Sequence, residues 1–292
     1  MDVLSDAIGA MRAGRPSMSL SAADPSGEMK VGVLEGARFY VVTAGSVQVT
    51  RSGEPPVTLE PGDAVLFPHG AAHELVNATD ERAHFLSGAY RLDQARPHPL
   101  FQDLPDLVVL FARAGRFPSL RASIDLARSE LDEEMYGRDL VLPALLDVLL
   151  VQLIRACLSE RAGRQGTGWC VALDDEAVSR SLRAVHERPA DPWTVESLGA
   201  HAGLSRAAFA RRFTTMVGQP PLTYLTWWRL TTAARMLQTT DAPLSVVAQR
   251  SGYGSAYAFA NAFKREYGIS AGRYRQQHRE GRSGRGGRPS GR

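Results

Sequence analysis

Cysteine is nearly absent: the 292 residues hold two, Cys157 and Cys170. Two such residues form no disulfide framework and offer no zinc-ligand spacing. Cys157 sits in an apolar stretch and Cys170 beside Trp169, so buried inert thiols are expected, with a redox pair as the alternative. Long unbroken apolar runs are also missing. The most apolar stretch, Leu140 to Leu158, is interrupted by Pro143, Asp147, Gln152 and Arg155, which a bilayer span tolerates poorly. A buried or dimer-forming helix is expected there, and no membrane partner. The opening residues, Met1-Asp-Val-Leu-Ser-Asp, lack the basic-then-apolar order of a signal peptide, so the expected location is cytoplasmic. Finally, no G-x-S-x-G, Walker loop or H-E-x-x-H is present, and no catalytic residue is assigned. What remains is 44% hydrophobic and 22% charged, the balance of a soluble globular chain, with room for about two domains.

The net charge of +3 conceals a polarity. Residues 1–173 carry 16 Lys and Arg against 22 Asp and Glu, and residues 174–292 carry 18 against 9. A basic C-terminal half on an acidic N-terminal half points to a polyanion that meets only the former. Part of the excess lies in the last twenty residues, which hold seven arginines and one glutamate and end in an Arg/Gly-rich low-complexity run. Such a run cannot bury a core.

Within that basic half one pattern occurs twice, 50 residues apart. The first copy runs Ser205-Arg-Ala-Ala-Phe209-Ala-Arg-Arg-Phe213 with Gly218 and Tyr224 following; the second runs Ser255-Ala-Tyr-Ala-Phe259-Ala-Asn-Ala-Phe263 with Gly268 and Tyr274. Each predicts a helix capped by serine, anchored inward by two phenylalanines one turn apart and stopped by glycine. Each follows a shorter helix and a tight turn, at Ala202-Gly203-Leu204 and at Ser251-Gly-Tyr-Gly254, making two helix-turn-helix units. With the phenylalanines inward, Arg206, Ala207, Ala210 and Arg211 share the outer face of the first copy, and Ala256, Tyr257, Ala260, Asn261 and Lys264 that of the second. Two similar helices suit a periodic partner, and double-stranded DNA is both periodic and polyanionic. The arginines suit guanine or phosphate, Asn261 suits adenine, Tyr257 a base edge or phosphate, and the alanines permit close approach. Because the first copy also carries Arg212, it is expected to supply most of the affinity. The apolar helix expected over Leu222–Gln238 carries Trp227 and Trp228, which read as packing between the two units.

The N-terminal half reads differently. Residues 3–13 form a short amphipathic helix pattern and Gly14 to Gly27 is loop-like. From Gly32 short strands alternate with Gly/Pro turns: Arg38–Thr43, Ser46–Thr50, Val57–Leu59, Ala64–Phe67, His73–Val76 and His84–Tyr90. That is the signature of an antiparallel sandwich or barrel. Gly62, Pro68, Gly70, His73 and Asn77 follow the spacing G-x5-P-x-G-x2-H-x3-N, which resembles the second motif of the cupin family at every position. Cupins commonly hold a metal through histidines of a first motif as well. Here the matching region, Glu35 to Gly45, has no histidine, and a facial site needs about three protein ligands. No metal and no cofactor are therefore expected, and His73 reads as a pocket-lining or hydrogen-bonded residue. Phe39, Val41, Phe67, His73 and Phe85 are the candidate lining of a small-molecule pocket.

Thr194-Val-Glu-Ser-Leu198, Ala202-Gly-Leu-Ser205, Val247-Ala-Gln-Arg-Ser-Gly-Tyr253, Phe263-Lys, Tyr267-Gly and Tyr274-Arg275 resemble the AraC/XylS family of bacterial transcription regulators, over about 100 residues. The resemblance implies a cupin effector domain joined to two helix-turn-helix units, with recognition helices near 205–216 and 255–266 entering adjacent major-groove segments. It also implies sequence-specific regulation, usually activation, in response to a small-molecule effector; RNA polymerase is an expected partner, and the apolar helix over 140–160, which must be covered, predicts a homodimer. The expected fold class is α+β in two domains: a cupin-like antiparallel β-barrel plus helices, then an all-α double helix-turn-helix. The expected boundaries are 1–100 for the barrel, 101–162 for a helical dimerisation extension, 163–173 for a linker, 174–275 for the DNA-binding domain and 276–292 for a disordered tail. The alternative from another class is a cupin-type metal-dependent enzyme with an appended DNA-binding domain.

Overall fold

The computed structural model describes residues 2–12, 16–77, 79–92, 97–111, 116–132, 136–162 and 168–283. The chain divides into two compact units, Met11–Cys170 and a second made of Val171–Arg292 with Met1–Ala10. The expected linker residues 163–167 and the tail from 284 onward lie outside the described residues.

The first unit begins with strands β1 (Ser17–Ala23), β2 (Glu28–Val31), β3 (Gly36–Ala44), β4 (Val47–Thr50), β5 (Val57–Leu59), β6 (Ala64–Phe67), β7 (His73–Val76) and β8 (Ala83–Arg91). The remaining strand, β9 (Val108–Leu110), follows the one-turn helix α2 (Pro99–Gln102); the N-terminal helix, α1 (Val3–Met11), is described with the second unit. The strands form two antiparallel sheets, ordered β1-β8-β3-β6-β9 and β2-β7-β4-β5. The expected strands are all present. β1, β2 and β9 are additions to the expected strands, and β1 replaces part of the expected loop over 14–27; it reads Ser-Met-Ser-Leu-Ser-Ala-Ala, poor in the β-branched and aromatic residues that mark a strand. It is held by pairing along β8 from Ser17–Ala89 to Ala23–Ala83. Helices α3 (Pro118–Asp132) and α4 (Arg138–Ala162) pack on one another and on β1, and α4 also reaches β9. By length and composition α4 could cross a bilayer, yet 44% of its most apolar stretch is buried here, including Leu149, Leu150, Leu153 and Ile154.

Between the sheets lies a filled interior of Tyr40, Val42, Val49, Leu59, Val65, Phe67, Leu75 and Phe85, among others. His73 belongs to it. Its ring stacks on Phe67 with centroids 3.8 Å apart, while Tyr40 meets Phe67, His73 and Phe85 edge-on. Two further motif residues, Gly70 and Asn77, fix the turns around this interior. Gly70 has φ +62°, and a Cβ there would lie 2.1 Å from the Leu34 carbonyl, so only glycine fits. The Asn77 amide, fully buried, donates to the carbonyls of Ala23, Asp24 and Glu81, tying the end of β1 to the turn before β8.

The second unit is all helical: α1, followed by α5 (Trp169–Asp174), α6 (Glu176–Glu187), α7 (Val195–His201), α8 (Arg206–Val217), α9 (Pro221–Thr239), α10 (Leu244–Arg250), α11 (Ala256–Tyr267) and α12 (Ala271–Ser283). The structure corrects the sequence reading at its end. Instead of disorder from residue 276, α12 continues to Ser283. Its anchor is Tyr274, whose hydroxyl accepts from the Gln238 amide at 2.7 Å. Arg275 adds a bond to the Ala242 carbonyl at 2.5 Å. Once the first turn is fixed, propagation costs little.

Candidate nucleic-acid interface

The doubled pattern folds as two copies of one device. Ser205 and Ser255 each accept from the backbone N–H three residues on, capping α8 and α11. Gly218 and Gly268 end those helices in the left-handed conformation, at φ 83° and 72°. In the preceding turns Gly203 and Gly252 have φ 73° and 76°. The inner rings agree more closely still: Phe209–Phe213 and Phe259–Phe263 both sit at 5.5 Å and 56°. All four phenylalanines are buried. Phe213 meets Tyr224 edge-on, and Phe263 meets Tyr274 likewise. The shared helix α9 joins the units, its Trp227 and Trp228 buried as packing residues.

With the inner face so fixed, the outer face is fixed too. Arg206, Ala207 and Arg211 of α8 are exposed and Ala210 is half-buried; on α11 Ala256, Tyr257, Asn261 and Lys264 are exposed and Ala260 is half-buried. Arg206, Arg211 and Lys264 make no ion pair among the described residues, so their charge is available to a polyanion. Tyr257, at 78% exposure, is an aromatic ring with no packing role in this unit.

Two features change the expected balance between the copies. Arg212 is held by the carboxylate of Asp175, the residue that also caps α6 through the Val178 N–H. Burial acts against ionisation of that carboxylate, but the Val178 bond and Arg212 outweigh it and hold its pKa below the ordinary value. Arg212 therefore ties α8 to α6. On the second copy Arg265, one turn beyond Asn261, is exposed and without an ion pair among the described residues. Each recognition helix thus offers two available cations. Helical spacing from Asn261 could have found Arg265; nothing local in the sequence announces that Arg212 is occupied.

Behind the face, half-buried Arg229 and buried His186 organise the first helix-turn-helix, and sequence reasoning missed both. Arg229 of α9 donates to the carbonyls of Pro189 and Asp191 at 2.6 and 2.7 Å, pinning the loop between α6 and α7. His186 stacks on Trp228 at 3.8 Å. Its Nδ1 lies 3.3 Å from the Asp6 carboxylate of α1, and its Nε2 2.7 Å from the Tyr224 hydroxyl. Burial lowers its pKa below the usual 6.5, against the opposing pull of Asp6. The ring is therefore neutral in the fold, Nδ1–H donating to Asp6 and Nε2 accepting from Tyr224. A histidine depressed in the folded state binds its proton more readily when unfolded, so its contribution is complete above pH 6.5 and is lost as pH falls below that value. Melting temperature is expected to drop between pH 7.5 and pH 5.5, and to drop less in His186→Phe. Equal slopes for both proteins in a scanning fluorimetry series would contradict this.

The five residues expected to line an effector pocket do not converge on one space. Phe67, His73 and Phe85 lie together in the packed interior with Tyr40. Phe39 and Val41 alternate with Tyr40 and Val42 along β3 and so face the other side of the sheet, where the Phe39 ring covers Gly88, 2.2 Å from where a Cβ would stand. For a cupin-type metal the fit is poor. His73 Nδ1 lies 2.7 Å from the Ala71 carbonyl and Nε2 3.0 Å from the Tyr40 hydroxyl, and burial lowers its pKa. No group of three potential ligand side chains gathers anywhere among the described residues. An open cavity does exist in this unit, at the end of β3 beside α3.

Comparison with known proteins agrees with both halves. Residues 2–159 match the family described as cupin, and residues 198–277 match a helix-turn-helix domain. An AraC-like transcription regulator of Streptomyces lividans is 30% identical over 82% of this chain and 86% of its own length. The RCS-specific HTH-type transcriptional activator RclR of Escherichia coli is 29% identical over 85% of this chain and 87% of its own length. Among solved structures, the DNA-binding domain of AdpA in complex with a target DNA is 34% identical, covering 37% of this chain and 97% of that one, with a TM-score of 0.35. A cupin domain followed by paired helix-turn-helix units with free basic outer faces, in a chain related along most of its length to such regulators, is a DNA-binding transcription regulator of the AraC family.

Proposed function

We propose that this regulator is a ligand-responsive activator that works in the cytoplasm as a homodimer and contacts RNA polymerase at its promoters. Base and phosphate contacts are assigned to Arg206, Ala207, Ala210 and Arg211 of α8 and to Ala256, Tyr257, Ala260, Asn261 and Lys264 of α11, with Arg265 added. The observation that carries the DNA-reading part is the identity of the two units combined with unpaired cations on both outer faces. The length of α9 supports reading from one side of the duplex: nineteen residues at ~1.5 Å each span ~28 Å, near the ~34 Å repeat of the major groove. Support for the homodimer comes from α4, where Leu140 (82% exposed) and Val148 (42%) leave an apolar stripe uncovered in the single chain. The two relatives named above are transcription regulators, which supports this reading over the metal-dependent alternative.

The test is to map the bound genomic sites and measure the adjoining transcripts with and without the gene. Activation predicts that those transcripts fall on deletion; a rise would make the chain a repressor. Sedimentation should give twice the 31.7 kDa chain mass, and a monomer at micromolar concentration would remove the homodimer.

A further inference from the structure

The cavity beside α3 lies outside the packed interior of the cupin unit. One wall is β-structure: the end of β3 at Val42 and Thr43, the β5–β6 turn at Pro61 and Gly62, and Leu110 of β9. The other is a single face of α3, whose Leu120, Arg121, Ile124, Asp125 and Arg128 recur at helical spacing. The floor is apolar, since Leu110, Leu120 and Ile124 are all buried. Its enclosed space is about 180 Å³, a small cavity whose mouth opens to solvent.

The polar groups around this floor are of one dominant sign. Arg116, Arg121 and Arg128 line it against the single carboxylate of Asp125. Arg116 is paired with Glu160 and Arg128 with Asp132. Arg121 makes no ion pair among the described residues, although Asp125 is one turn away. The Thr43 hydroxyl is already spent on the His84 carbonyl. An unpaired guanidinium over an apolar floor, with the neighbouring Arg116 and Arg128 already paired, selects a ligand with one anionic head and an apolar body.

We propose that this cavity binds a small amphipathic organic anion, its acidic head on Arg121 and its body on Leu110, Leu120 and Ile124. The site rests on the reading of the chain as ligand-responsive and gives that reading a chemical class and a place, outside the barrel interior. It also places the ligand against α3, which packs on α4, the helix with the uncovered apolar stripe.

The test uses the full chain and two fluorescent probes of the same shape: 8-anilinonaphthalene-1-sulfonate, which is anionic, and N-phenyl-1-naphthylamine, which is neutral. The wild type should bind the anion saturably at one site per chain. Arg121→Gln, an exposed substitution that leaves folding intact, should weaken the anion by about tenfold, the value of one charge-assisted contact, and the neutral probe by less than threefold. Ile124→Trp, which fills the floor, should remove both, and Asp125→Asn should tighten the anion. A change of under threefold for the anion in Arg121→Gln, or an equal loss of both probes, overturns the site. Promoter DNA binding measured in the same samples reports the wider reading separately. Anion binding that leaves DNA affinity unchanged would keep the site and sink its regulatory role.

Discussion

Phe263→Ala is expected to dismantle the second helix-turn-helix while leaving the cupin unit folded. The ring is fully buried, stacks on Tyr267 at 4.2 Å, and meets Phe259 and Tyr274 at 5.5 and 5.3 Å. Truncation removes the surface that orients α11 against α10 and α12, at a cost of ~3–5 kcal/mol for a Phe-to-Ala cavity. Whole domains are stable by only ~5–15 kcal/mol, so that loss takes a large share of the total. For a unit of this size the melting transition should fall by ~12 °C or more. A melt lowered by less than ~3 °C, read by circular dichroism at 222 nm, would show that Phe263 is not the anchor. Because Phe209 and Phe213 repeat the geometry at 5.5 Å and 56°, Phe213→Ala should cost a similar amount in the first unit.

Arg211→Ala carries the largest expected effect on DNA binding without loss of fold. Arg211 is exposed on the outer face of α8 and has no ion pair among the described residues. Removing it should cost ~1–3 kcal/mol, about 5- to 150-fold in affinity. The two possible roles separate cleanly. If the guanidinium reads guanine, discrimination relaxes at one base pair; if it clamps a phosphate, affinity falls evenly across sequences and the salt slope drops by about one. Arg212→Ala serves as the comparison, since that side chain is engaged by Asp175 and should affect stability more than DNA affinity. Gel-shift titrations showing unchanged binding for Arg211→Ala, or equal losses for both variants, would remove Arg211 from the interface.

How legible this was in the sequence depended on the range of the interactions involved. The helix-turn-helix units were readable because their signals are local: a serine cap, two phenylalanines at i and i+4, and a glycine at the C-terminus all lie within one helix. The cupin motif was readable because Gly62 and Gly70 hold positive φ in their turns, at 93° and 62°, a demand that glycine meets locally. What escaped was set at long range. β1 is a strand because β8 pairs with it, 68 residues away at Ser19–Ser87, not because Ser and Ala favour one. Asp6 of α1 meets His186 across 180 residues of sequence. The pocket residues were grouped by apolar character, which cannot tell Phe39 from its neighbour Tyr40 on the opposite face of β3 when both faces are buried. Arg212 was credited to the affinity of the first copy because its partner Asp175 lies at the start of another helix. The tail was assigned as disordered from composition, yet Tyr274 seeds α12 through a bond to Gln238.

The central claim is that α8 and α11 read two adjacent major-groove segments on one face of the duplex. Methylation interference at guanine N7 on a bound promoter tests it most directly, because N7 lies in the major groove. Two clusters of interference about one helical turn apart, on the same face, are the predicted result, with the α11 cluster lost selectively in Phe263→Ala. A single cluster in the wild type, or two clusters on opposite faces, would contradict it.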